Sequence, residues 1–91
     1  MHRIQSTAVR AYHSLLASQP NTAAKVAFAW QVAAGPALAR AGRPRWTDDG
    51  TLRIEARDSA WLRELRRARP IITERLAELL GAGVVQRLVI E

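Results

Sequence analysis

The chain has 91 residues, enough for one small domain around a single core. Fourteen basic residues against eight acidic ones give a formal charge of +6; thirteen of the fourteen are Arg, and Lys25 is the one Lys. There is no Cys, which excludes disulfides, thiolate metal sites and a cysteine nucleophile, and no apolar run approaches the ~20 residues that span a bilayer.

An Arg excess suits phosphate or an acidic protein surface, because the planar guanidinium pairs bidentately with either kind of oxygen. The N-terminus has Arg3 and Arg10 but no continuous apolar stretch and no small-residue cleavage site, so it does not read as a signal peptide. From there Ile4, Ala8, Ala11, Tyr12 and Leu15 recur at three-to-four spacing and predict a helix over 3–18, which Gln19-Pro20-Asn21 closes. His2 and His13 belong to it; neither has metal-ligand partners at a useful spacing, and both read as surface residues.

A second helix is predicted over 22–40, capped by Asn21 or Thr22, with Val26, Ala29, Trp30, Ala33 and Ala37 as its buried stripe. Gly35-Pro36 should break or kink it, since Pro fits the first turn of a helix but not its interior. A short strand follows over 43–47. Pro44 places it at a sheet edge, because Pro cannot donate to a ladder. Asp49-Gly50 is a turn signal. Beyond it, Leu52, Ile54 and Ala56 alternate with Arg53, Glu55 and Arg57, the period of a half-buried strand over 51–57.

Asp58 or Ser59 can cap a third long helix, predicted over 59–80. Trp61, Leu65, Ala68, Ile72, Leu76 and Leu79 share its narrow apolar stripe, with Arg63, Arg66 and Arg67 opposite and Arg69 at the border. Pro70 should kink or briefly interrupt it. Gly81 and Gly83 end it. Residues 84–90 read as a final strand, apolar on both sides and so expected inside the sheet or under a helix. The order α-α-β-β-α-β gives an α+β fold, a three-stranded sheet with helices packed on one face.

Trp30, Gly35 and Leu38, followed by Gly50, Leu52, Ile54, Ser59, Ala60, Trp61, Glu64 and Leu65, resemble the signature of the DciA family. The likeness covers roughly Thr22 to Ile90. It implies a K-homology-like domain that binds DNA at replication initiation and helps put the replicative helicase hexamer on single-stranded or forked DNA. It implies a cytoplasmic, nucleoid-associated bacterial protein without cofactor, membrane contact or small-molecule substrate. Three features depart from the pattern. Arg40-Ala41 stands where a polar pair is usual. The G-x-x-G loop of RNA-binding K-homology domains is absent. Many members carry a flexible extension that engages the helicase, and neither end of this sequence shows one.

Trp30, Gly35, Gly50, Leu52, Trp61 and Leu65 read as structural, since large aromatics on apolar stripes are mostly core. The candidate nucleic-acid contacts are Arg40, Arg43 and Arg45 before the turn, Arg53 and Arg57 on the outward side of the second strand, and Arg63, Arg66, Arg67 and Arg69 on the third helix. Phosphate contacts of this kind give sequence-independent, salt-sensitive affinity. Trp46, beside Arg45, is either a base-stacking platform or a lid on the sheet's hydrophobic face. Catalysis has no support: the acidic residues are scattered, no Ser has a nucleophile context, and no Gly-rich phosphate loop is present. Two other readings remain, a domain whose Arg face docks an acidic protein without DNA, and an RNA-binding K-homology-like module.

Overall fold

The Asp49-Gly50 turn starts the sheet. Gly50 sits at φ 87°, a conformation that costs Gly nothing, and its N–H donates to Thr47 O at 3.1 Å. Thr51 N–H and the Thr47 hydroxyl both donate to Asp49 Oδ1, at 3.1 and 2.6 Å. This turn joins β1 (Gly42–Trp46) to β2 (Thr51–Ala56), which pair antiparallel from Gly42 opposite Ala56 to Trp46 opposite Leu52. The computed structural model describes residues 12, 13, 15, 16 and 19–91.

β3 (Arg87–Ile90) runs parallel to β2 on its other side, with Leu52 opposite Leu88 and Ile54 opposite Ile90. β2 is therefore the central strand, and β3 lies at an edge rather than inside the sheet. β3 is also shorter than the expected 84–90. Gly81 and Gly83 take φ of 101° and 91° and turn the chain, and pairing begins only where Gln86 and Arg87 N–H both reach Gly50 O, at 2.8 and 3.2 Å.

Both edges are guarded. Thr47 N–H donates to Thr51 O and Arg57 N–H to Ala41 O. The antiparallel alternation then turns the ladder bonds of Arg43 and Arg45 toward β2 and the backbone of Pro44 toward the open edge, where a missing N–H disrupts nothing. On the other side, Arg69 Nη2 donates to Leu88 O on the outer edge of β3.

α1 (Ala23–Ala41) is opened by Thr22, whose hydroxyl accepts from Lys25 N–H at 3.2 Å. Gly35, at φ 83° and ψ 166°, breaks it, and Pro36 starts the second piece. Arg75 Nη1 donates to Ala33 O beside the break at 3.0 Å. The helix expected over 59–80 is two helices, α2 (Ser59–Arg67) and α3 (Arg69–Leu80), which meet at Ala68. Pro70 occupies the first turn of α3, where it has no intrahelical bond to lose. The interruption thus falls just before Pro70, not around it. Asp58 caps α2 by accepting from Trp61 N–H at 2.9 Å.

The helices cover one face of the sheet. Trp30 is wholly buried among Val26, Leu52, Ile54, Leu65, Ile72, Leu76 and Leu79. A Cβ on Gly42 would collide with Ile54 Cγ2 and press on Leu65 Cδ1 at 3.2 Å, so β1 approaches the core as only Gly allows. Trp61 is half-buried at the start of α2, outside this cluster, while its neighbour Leu62 packs against it. Of the helix expected over 3–18, Tyr12, His13, Leu15 and Leu16 are helical; the rest, with His2, lies outside the described residues. Leu16 is buried in the core, Tyr12 meets Phe28 edge-on at 5.1 Å, and His13 Nδ1–H donates to Glu78 O at 2.6 Å.

Candidate nucleic-acid interface

Strand alternation decides which side of the sheet each residue serves. In β2, Leu52 and Ile54 are buried, while Arg53 is half-exposed and Glu55 exposed. The register then places Pro44 and Trp46 of β1, and Leu88 and Ile90 of β3, on the core side. Arg43, Arg45, Arg87 and Val89 join Thr51, Arg53 and Glu55 on the outer side.

This outer face carries three of the candidate arginines, and two more, Arg40 and Arg57, border it. Arg43, Arg45 and Arg53 line a shallow recess of about 220 Å³ with Glu55 and Glu91. Arg43 is shared with an adjoining, more open depression of about 530 Å³ that also takes in Arg40 and Arg57. Two carboxylates interrupt the positive charge. Glu55 stands opposite Arg43 in the register, and Glu91 Oε1 lies 3.4 Å from Arg53 Nη1. Both members of the second pair are more than a third exposed, so the bond is weak in water and can yield to another anion.

Sequence reasoning missed Arg87. Residues 84–90 looked apolar on both sides, but alternation counted back from Ile90 puts Leu88 inward and Arg87 outward. Arg87 also acts on the hairpin turn. The Asp49 carboxyl is held below its usual range first by the Thr47 hydroxyl, then by its bonds from Thr51, with a smaller contribution from the Arg87 charge.

The remaining candidates stand elsewhere. Arg63, Arg66 and Arg67 are exposed on α2, on the helical side of the sheet, and Arg67 lies 3.7 Å from Glu64. Arg69 is committed to the Leu88 carbonyl and lines a recess of about 300 Å³ between α3 and β3, together with Thr73, Leu76, Gln86 and Arg87. Trp46 alternates to the core side and Arg43 and Arg45 to the outer side, yet Trp46 and Arg45 line one depression beside α1. Trp46 is half-buried against the core and flanks Ala23, Ala24 and Ala27 of α1, with Leu52 beside it.

Among the described residues no group of three or more His, Asp or Glu could hold a metal ion. No described helix is long and apolar enough to cross a membrane. The architecture of the described residues, helices packed on one face of a mixed three-stranded sheet, is consistent with a K-homology-like arrangement. A comparison with curated proteins finds no match. A family model described as "Dna[CI] antecedent, DciA" matches residues 4–90.

Proposed function

The chain belongs to the DciA family, whose members are non-enzymatic adaptors associated with helicase loading, and on that premise we propose that it is a DNA-binding adaptor of bacterial replication. In this reading it holds single-stranded or forked DNA on its arginines and assists the placement of the replicative helicase hexamer, in the cytoplasm at the nucleoid. With no chemistry of its own, such a protein works by binding and positioning alone.

The observation that carries the reading is the outer face of the sheet, which none of the described helices covers. Arg43, Arg45 and Arg53 converge there in one recess, with Arg40 and Arg57 in the depression beside it. A face with this density of guanidinium groups attracts a polyanion from a distance and releases its counterions on contact. The arginines of α2 (Arg63, Arg66 and Arg67) form a second exposed basic strip, and Arg69 adds charge near β3.

Fluorescence anisotropy with labelled single-stranded, duplex and forked DNA tests the proposal. The protein should bind at micromolar concentration or tighter, with affinity falling steeply as salt rises. Replacing Arg43, Arg45 and Arg53 together by Gln should weaken binding by at least about tenfold, as expected for several lost phosphate contacts. No binding at low salt would assign the positive face to an acidic protein partner instead.

A further inference from the structure

Sequence-independent single-strand binders combine a basic groove with aromatic side chains on which bases stack. The outer face of this sheet has the first and lacks the second. The chain contains five aromatic residues in all, three Trp, one Tyr and one Phe, and the structure places every one of them off that face. Trp30 is wholly buried. Trp46 pairs with Leu52 on the core side. Trp61 is on α2. Tyr12 and Phe28 meet each other edge-on and are both partly exposed, Phe28 on α1 rather than on a strand.

What the strands do present outward is charge: Arg43, Arg45, Arg53, Glu55 and Arg87, with Val89 half-buried and Thr51 buried between them. The recess among the arginines holds about 220 Å³, below the ~300–1,000 Å³ usual for a pocket that encloses a small ligand. Its walls are Arg43, Arg45, Arg53, Glu55 and Glu91 with Pro44 beside them, and no aromatic ring is among them.

We propose that the outer sheet face binds the sugar–phosphate backbone alone and takes no base. This rests on the DNA-binding reading above and specifies its ligand chemistry. The face grips a phosphodiester chain through bidentate and point contacts from Arg, which carry no sequence information. It accepts a strand whether its bases are stacked, paired or absent. Glu55 and Glu91 sit within the same face and repel the backbone locally. They leave a hold strong enough to recruit a strand and weak enough to surrender it to a partner.

The test uses the full chain and three probes of equal length: a labelled single-stranded oligothymidylate, the same chain made wholly of abasic sites, and a duplex. Anisotropy is read at low and physiological salt. The abasic chain should bind within about twofold of the oligothymidylate and show the same salt slope, because the phosphates are the same. Stacking of even one base would make the abasic chain about fivefold weaker or more, and that result overturns the proposal.

The Arg43, Arg45 and Arg53 to Gln variant separates the two readings. If it binds poorly while the abasic chain still trails the oligothymidylate, the face binds DNA but reads bases, and only the present proposal falls. If the variant binds as tightly as the parent, the sheet face is the wrong surface and the present proposal falls, while DNA binding stands on another surface such as the arginines of α2; no binding of any probe at low salt brings down both readings. A second variant, Glu91→Gln, removes a repelling charge at an exposed position and should tighten binding to both single strands equally. Tightening confined to the base-bearing strand would count against backbone recognition.

Discussion

At Gly42 a hydrogen stands where any other residue would put carbon into Ile54 and Leu65. Gly42→Ala should therefore destabilise the fold by about 1–3 kcal/mol, the usual range for overpacking a dense core, measurable as a lowered denaturation midpoint. Gly35 needs Gly for a different reason. A Cβ there meets nothing, but φ 83° with ψ 166° is a region that L side chains avoid. Gly35→Ala should cost about 1–3 kcal/mol through backbone strain. Asp49 supplies a pH dependence. Its carboxyl ionises more readily folded than unfolded, so its contribution to stability is fully present above the unfolded value of 3.8 and is lost as pH falls through the lower folded value. Thermal melts of Asp49→Asn should lack this acid-side component. The sequence made the need for Gly at 35 and 50 legible, because Pro36 and Asp49 beside them mark a break and a turn. It gave no sign of Gly42, whose constraint is set by side chains 12 and 23 positions away.

The hairpin was the most legible of the elements, since β2 alternates cleanly between Leu52, Ile54 and the charged Arg53, Glu55. The same period applied to β1 separates Arg43 and Arg45 from Pro44 and Trp46, so the orientation of Trp46 was readable although adjacency to Arg45 suggested otherwise. Trp46→Ala should lower stability by exposing Leu52 and the first turns of α1, while leaving DNA affinity of the folded fraction unchanged in anisotropy. The division of α2 from α3 was harder to see. The apolar stripe from Leu65 to Leu79 continues across Ala68 without a change of period, and only Pro70 hints that the first turn of a new helix begins there. Asp58 fixes the start of α2 by its bond to Trp61 N–H. Asp58→Ala should cost about 1 kcal/mol, read from the shift in a chemical denaturation curve.

On the scale of the molecule, helices cover one side of the sheet and arginines the other, and a sequence alone cannot show which charges the fold brings together. The arginines nearest in sequence, Arg63, Arg66 and Arg67, are separated from the sheet cluster by the body of the domain, whereas Arg43 and Arg53 meet across the hairpin. Removing the sheet trio should lower the steepness of the single-strand salt dependence by about 2, at ~0.7 per phosphate contact. The guarded sheet edges bear on what happens when many copies meet one long strand. Pro44 denies an incoming backbone its donor on one side, and Arg69 already occupies the Leu88 carbonyl on the other. With those groups taken out, the described edges offer neighbouring copies only a broken ladder. On the DNA-binding reading proposed above, coverage of a long single strand should then rise as that of independent sites, leaving bare stretches between bound molecules even near saturation, the gaps on which that reading would have the helicase seated.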